Sequence, residues 1–460
     1  MSKPAKNYLD CNIPKTLFSN SIPMVIGIGF ALSFSMIDMY FVGQLGTLEL
    51  AAMTIVFPIV FVVFGVAMGV GTGSSAVISK AIGEGNNQKV KELTSDSLVL
   101  GVILVGIFVT IGFIFFEEIF ILYGADSEQL PLIKDYMFIW YLGMMFLVIP
   151  VIGNSALRAK GDTTTPSKMM MGAVLINLIF DPLLIFGYGP FPRLEMEGAA
   201  LATVGGRFTA FIWAYYVLVK KYDMIDFKGF DIKRFISSSK EILHVGFFSI
   251  LTNVLTPIGF AVIISFIAEY GNEAVGAYGA GARIETIVLA FFMALSAVLG
   301  PFIGQNWGAK NWSRIRTVLN YSYIYSIGFS IFALIIFYFF SDFIAVNFAA
   351  RLLGDKMVGD ELKVIDYMSS FLQIIMYSFA FRGVIFMATT AFNVLKKPIT
   401  SMNIILSYVF ILFIPIAWYL KQSMGINGIY YALLISSIII SIISYFYLNR
   451  VLNKLEEEGK

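Results

Sequence analysis

Long apolar runs separated by short polar stretches make up almost the whole chain. A helix needs about 20 apolar residues to cross a hydrocarbon core of about 30 Å. The runs reach that length and lack the strict alternation of strands, so we expect helices that satisfy their own backbone hydrogen bonds in lipid. The twelve predicted spans are 15–42, 50–79, 93–116, 132–157, 167–188, 196–219, 241–268, 274–304, 315–341, 363–390, 399–420 and 425–448.

The two halves of the chain repeat one pattern of helices and loops. Five pairs of residues at matching places support the repeat: Gly46 with Gly271, Gly83 with Gly308, Asn86 with Asn311, Pro166 with Pro398, and Gly198 with Gly428. Six spans followed by six in the same order and orientation form a parallel repeat, a plan that places a binding site between the halves. We therefore predict an all-α integral membrane protein with two six-helix lobes related by a pseudo-two-fold axis along the membrane normal. The predicted N-lobe is 1–220, the cytoplasmic linker 221–239 and the C-lobe 240–460.

Composition and charge agree with this picture and exclude several functions. The chain is 58% hydrophobic and 13% charged, whereas a soluble domain averages about 45–50% and about 25%. Most of the 32 Lys and Arg residues lie at the termini and in the even-numbered loops, which predicts a multi-pass protein of the cell (inner) membrane with both termini cytoplasmic. One Cys and one His leave no disulfide framework, zinc site or Ser/His/Asp arrangement, so we expect no enzyme and no cofactor.

Charged residues inside the predicted spans are the candidates for function. Each costs about 2.5–3.5 kcal/mol on insertion scales, so it is expected to have a use. These residues are Asp38, Asp181, Arg207, Arg283, Glu285 and Arg382.

Two of these carboxylates are predicted to share one depth with an amide and a hydroxyl, in the outer half of the membrane. Asn177 and Asp181 are one helical turn apart on one face, and Pro182 removes a backbone donor beside them. Such oxygens can bind a sodium ion or hold a proton. The predicted cation site consists of Asp38, Asn177, Asp181 and Thr203.

The repeat offers an internal control for this site. The matching positions of the second half are all apolar, namely Ile263, Val409, Phe413 and Leu433. The scaffold therefore does not need polarity at these places. The alternative account is that the four polar residues only hold helices together.

The other intramembrane charges leave alternatives open. Arg283 lies near the depth of Asp38, and it either pairs with Asp38 or is a fixed charge of the substrate cavity. Glu285 points elsewhere and is expected to make a local structural contact. Arg207 either extends to the interface or balances Asp181, and Arg382, near the inner interface, is expected to extend its side chain to that interface.

The chain resembles the multidrug and toxic compound extrusion (MATE) transporters, and among them the DinF-like branch. The resemblance rests on DMYFVGQLGTLELAAMTI at the end of span 1, ALRAKGDTTTP between spans 4 and 5, INLIFDPLLIFGYG in span 5 and GAALATVGGR in span 6. It implies antiport of cationic or aromatic drugs against protons or sodium ions. It also implies that the cation site lies at the four residues above, and that Asn154 lines the N-lobe cavity together with Asp38.

The predicted function is thus efflux of small-molecule organic cations and drugs, coupled to H⁺ or Na⁺ entry. The expected partners are the cargo and the lipid bilayer, without nucleic acid, and the chain is expected to be a monomer. The main alternative is a flippase of lipid-linked saccharide precursors, which shares the two-lobe plan. A receptor or channel would need a continuous polar stripe, which the second half lacks.

Overall fold

The computed structural model describes residues 8–227, 229, 231–353 and 361–459, which fold into helices joined by short turns, with no strand in this part of the chain. The α-helices are α1 Ile13–Val42, α2 Thr47–Gly83, α3 Asn87–Ile114, α4 Phe116–Leu122, α5 Gln129–Ala159, α6 Thr164–Phe186, α7 Glu195–Tyr216, α8 Ile232–Ala268, α9 Asn272–Gly308, α10 Trp312–Leu353, α11 Glu361–Ile375, α12 Phe379–Val394, α13 Pro398–Leu406, α14 Ile414–Met424 and α15 Ile426–Gly459.

Twelve spans in the described residues are long and apolar enough to cross a membrane, as the sequence predicts. Nine of them, including α15, are single helices, and the sixth span continues α7 through a π-helical turn at Val217–Lys221. The tenth span joins α11 to α12 through the 3₁₀ turn Met376–Ser378, the eleventh joins α13 to α14, and the twelfth is α15. The all-α, twelve-span fold is therefore confirmed.

Several helices extend beyond the predicted spans. Helix α8 begins at Ile232, inside the segment predicted as a linker, and α2 continues to Gly83. An apolar run marks only the part of a helix that lies in hydrocarbon, while polar turns outside it remain helical in water. This explains why the hydrophobic pattern places the helix ends too far inward.

The chain forms two compact units, each with its own apolar core. The first comprises 8–12, Phe18–Ile250 and Gly300–Ala309, and its largest fully buried side chain is Trp140. The second comprises Ile13–Leu17, Leu251–Leu299 and 310–459, with a core rich in buried phenylalanines. The predicted lobe boundaries at 220 and 240 stay a prediction.

Matching local structures in the two halves support the sequence repeat. The Asn86 side chain caps α3 by accepting a hydrogen bond from the backbone N–H three residues on at 3.0 Å, and Asn311 does the same for α10 at 3.3 Å. The residue before each cap has a left-handed φ, +72° at Gly85 and +56° at Lys310. Both halves therefore make this turn with the same backbone conformation.

The eleventh span contains a π-helical segment, Ser407–Phe413, at the place where the fifth span has its polar pair. A π turn accommodates one extra residue relative to an α-helix. The insertion matches Pro182 with Pro415, and it moves the counterpart of Asp181 from Phe413 to Ile414. Both candidates are apolar, so the contrast between the halves holds in either register.

The ALRAKGDTTTP segment, which carries part of the MATE resemblance, forms a hydrogen-bonded junction at the end of α5. Asp162 accepts hydrogen bonds from the backbone N–H of Thr165 at 2.9 Å, from the Tyr222 hydroxyl at 2.7 Å and from Lys221 Nζ at 3.1 Å. Burial by itself raises the pKa of Asp162, but these donors outweigh it and leave the pKa below its ordinary value. The carboxylate thereby ties the α5–α6 turn to the end of the sixth span.

Candidate functional site

The four predicted cation-site residues are buried in the first unit, on α1, α6 and α7. Asp38 is 2% exposed, and Asn177, Asp181 and Thr203 are fully buried. The Asn177 side-chain amide donates a hydrogen bond to Asp181 Oδ1 at 2.9 Å, as expected for residues one turn apart. We call these four residues the carboxylate site.

Each residue of the carboxylate site keeps one buried oxygen without a hydrogen-bond partner. These oxygens are Asp38 Oδ1, Asn177 Oδ1, Asp181 Oδ2 and Thr203 Oγ1. Buried polar atoms in native proteins nearly always have a hydrogen-bond partner, so four buried oxygens without one in a single cluster call for an explanation. Acceptor oxygens of this kind are the ligands of a monovalent cation or the holders of a proton.

Tyr136 of α5 connects the members of the site and was not among the site residues predicted from the sequence. Its hydroxyl donates a long hydrogen bond of 3.5 Å to Asp38 Oδ2, lies close to the Thr203 side chain and interacts electrostatically with Asp181. One signal was available, because Tyr136 lies one turn inside the fourth predicted span, at the depth assigned to Asp38. Aromatic residues are so common in this chain that depth alone did not single it out.

Three pairs of residues one turn apart arrange the site in two layers. Helices α5 and α7 run parallel and α6 runs antiparallel, because they are consecutive spans. The first layer holds the Tyr136 phenol, the Thr203 hydroxyl and the Asp181 carboxylate. The second layer holds the Trp140 indole, the Arg207 guanidinium and the Asn177 amide.

Arg207 belongs to this site, although the sequence left its role open. Its guanidinium lies over the ring of the buried Trp140 at 5.3 Å, and it interacts electrostatically with Asp38 and Tyr136. It therefore faces Asp38 rather than Asp181 and does not extend to the interface. With both carboxylates ionised, these residues carry one net negative charge, which one monovalent cation balances.

Of the two further residues predicted for the cavity, Asn154 lies away from the carboxylate site within the first unit. Asn154 is buried on α5, eighteen residues after Tyr136, which places it about 27 Å further along the helix axis. Arg283 is exposed on α9 in the second unit. The structure thus does not bring Asn154 into contact with the carboxylates, and the cavity role of both residues stays a prediction.

The second unit contains a buried ion pair between Glu285 of α9 and Arg382 of α12. The side chains are 9% and 11% exposed. The expectation that Arg382 extends to the interface is wrong, because the carboxylate partner compensates its charge inside the unit. Sequence spacing gives no sign of this pairing, since the two residues lie on different helices.

Twelve membrane spans, together with a buried carboxylate site in the first unit, are typical of a multi-pass membrane transport protein. A family model described as MatE matches the chain in two stretches, residues 23–183 and 249–419, one in each half. The chain therefore belongs to the MatE family, whose members are transporters and not enzymes. The resemblance to the MATE transporters noted in the sequence is confirmed.

Relatives and solved structures agree over nearly the full length. The chain is 36% identical over 449 residues to a FAD transporter of Shewanella oneidensis, covering 98% of this chain and 97% of that protein. It is 26% identical over 428 residues to the multidrug export protein MepA of Staphylococcus aureus, covering 92% and 90%. The crystal structure of the Vibrio cholerae MATE transporter VcmN in the bent form matches with a TM-score of 0.88 and 26% identity, covering 97% and 98%.

Proposed function

We propose that this protein is a secondary antiporter that exports flat aromatic solutes in exchange for protons or sodium ions. The observation that carries the proposal is the set of four unpartnered, buried oxygens of the carboxylate site. An uncompensated buried carboxylate is costly, so the site favours uptake of a cation. A gradient of that cation is the energy source of the proposed transport.

The coupling follows from the elements that hold the site. Asp38 lies on α1 and Asp181 on α6, where Pro182 has no N–H to donate and so weakens the helix at that turn. A cation that binds both carboxylates draws the two helices together, and its loss releases them. A cation that neutralises the carboxylates also removes the counter-charge of a cationic cargo, which then dissociates.

Two cargo classes deserve separate tests. MepA is a multidrug export protein by name, which supports organic cations as cargo. The FAD transporter, the more similar of the two relatives described above, supports a flat dinucleotide with a negatively charged diphosphate. The exposed guanidinium of Arg283 favours the second candidate, since an arginine within a span is costly against lipid and suits an aqueous surface that meets an anion.

The test is gradient-driven transport in proteoliposomes loaded with ethidium or with FAD. A proton gradient and a sodium gradient are imposed separately on wild type, Asp38→Asn and Asp181→Asn. We expect one gradient to drive cargo movement in wild type and neither to do so in the variants. Gradient-driven transport retained by both variants would refute the role of the carboxylate site.

Arg283→Gln separates the two cargo classes. If the cargo is a dinucleotide, this variant loses FAD transport and Arg283→Lys keeps most of it. If the cargo is an organic cation, ethidium moves in wild type and in Arg283→Gln alike. Movement of a lipid-linked saccharide, with neither ethidium nor FAD transported, would select the flippase alternative.

We further propose a monomer in the cell membrane with both termini on the cytoplasmic side. The distribution of Lys and Arg supports this orientation. Cys11, the single cysteine, reports the position of the N-terminal segment. In oriented vesicles, a membrane-impermeant maleimide should label Cys11 only from the cytoplasmic side.

A further inference from the structure

Arg207 is half-buried, and its guanidinium occupies an unusual position for a charge inside a membrane-spanning helix bundle. It lies over the Trp140 ring, its Nη1 is buried without a hydrogen-bond partner, and no ion pair within 4 Å involves it among the described residues. A buried cation normally pairs with a carboxylate. Here Asp38, with which Arg207 interacts electrostatically, keeps an unpartnered oxygen of its own.

Two positions of Arg207 therefore compete. In one, the guanidinium lies on the indole, where the ring face attracts a cation. In the other, a rotation of the long side chain brings Nη1 towards Asp38, so that this donor and the unpartnered oxygen Asp38 Oδ1 form a hydrogen bond with each other. A cation bound at Asp38 repels the guanidinium and favours the first position, and an empty site favours the second.

We propose that Arg207 is a tethered competitor of the coupling cation for Asp38 and thereby sets the affinity of the carboxylate site. This inference rests on the proposed antiport. The groups that face Arg207 are Asp38, Tyr136 and Trp140. When the coupling cation leaves, Arg207 replaces its charge at Asp38, so the emptied site does not hold two uncompensated carboxylates and release becomes easier.

The test is cation binding to the purified protein in detergent, followed by tryptophan fluorescence. The protein is titrated with Na⁺ at fixed pH and with acid in the absence of Na⁺. The variants are Arg207→Met, which removes the charge, and Arg207→Lys, which keeps it. Arg193→Gln is the matched control, because Arg193 is a solvent-exposed arginine of the same unit, paired with Glu195. Trp140→Phe identifies the part of the signal that comes from Trp140.

We expect Arg207→Met to bind the cation about tenfold more tightly than wild type, since removing a nearby like charge has an effect of this size. Arg207→Lys should lie close to wild type, and Arg193→Gln should equal it. The fluorescence change should disappear in Trp140→Phe. A merely structural role for Arg207 would instead weaken binding.

Unchanged or weaker binding in Arg207→Met, with a wild-type response that Asp38→Asn abolishes, would overturn the inference while leaving the antiport proposal standing. A wild-type protein with no cation response that depends on Asp38 would overturn both.

Discussion

Asn177 donates its side-chain amide to Asp181 Oδ1 at 2.9 Å and leaves its own carbonyl oxygen buried without a partner. One side chain thus orients a carboxylate and offers a further ligand beside it. A hydrogen bond to a charged group contributes about 1.5–3 kcal/mol. We therefore expect the Asn177 amide to contribute to cation binding both by orienting Asp181 and by offering its own carbonyl oxygen.

Replacing Asn177 with leucine should weaken cation binding by about tenfold or more, because it removes both functions of the amide. The measurement is the Na⁺ or acid titration of the purified protein. Thr209→Val is the control, since the Thr209 hydroxyl is exposed and bonds only to the Gly205 carbonyl of its own helix. Equal affinities in Asn177→Leu and wild type would contradict the assigned role.

A methyl group at Gly83 should destabilise the first unit. A Cβ at this position would overlap the backbone carbonyl of Gln305, which cannot move as a flexible side chain does. We expect Gly83→Ala to lower the free energy of unfolding by about 1–3 kcal/mol, the usual cost of overpacking. Gly106→Ala is the control, because nothing lies within 4 Å of its Cβ, and it should be neutral or slightly stabilising. Thermal unfolding in detergent measures both, and a Gly83→Ala protein as stable as Gly106→Ala would be inconsistent with this packing.

Asp162 should contribute stability that depends on pH. Its pKa in the folded protein is lowered, so its contribution is present above the ordinary value of about 3.9 and is lost as the pH falls through the lower, folded value. Wild type should therefore be more stable than Asp162→Asn at pH 6, and the difference should shrink towards pH 3. Unfolding temperatures of both proteins across this range test the prediction. A difference that stays constant or grows on acidification would show that the ionised form of Asp162 is not the stabilised one.

The Glu285–Arg382 pair should be asymmetric in its response to mutation. Glu285→Met leaves a buried guanidinium that cannot lose its proton, whereas Arg382→Met leaves a carboxylate that can take one up. We expect Glu285→Met to cost about 3–5 kcal/mol, Arg382→Met less, and the double variant to recover most of the loss. Thermal unfolding of wild type, the two single variants and the double variant gives the interaction free energy between the two side chains. Strictly additive losses would mean that the two side chains do not interact.

The sequence was sufficient for the spans, and it predicted the four residues of the carboxylate site. Apolar length alone located twelve helices, and the cost of charge in lipid, together with the apolar counterparts in the second half, singled out Asp38 and Asp181. The offset between Pro182 and Pro415 is one residue larger than that between Pro166 and Pro398. This extra residue corresponds to the π-helical insertion in the eleventh span.

The contacts between helices could not be predicted from the sequence. The partner of Arg382 and the position of Arg207 on Trp140 depend on which helix faces meet, and a single apolar span looks alike on every face. Tyr136 illustrates the same limit, because one tyrosine among 23 acquires its meaning only when its hydroxyl is seen beside Asp38.

The most direct test of the antiport account is whether a cargo gradient alone moves the coupling ion. Proteoliposomes are loaded with the transported cargo, with equal Na⁺ and equal pH on both sides, and the uptake of radioactive sodium and the internal pH are followed as the cargo leaves. We expect one of the two ions to enter as cargo exits in wild type, and we expect Asp38→Asn and Asp181→Asn to abolish this exchange. Cargo exit without entry of either ion would contradict antiport at the carboxylate site.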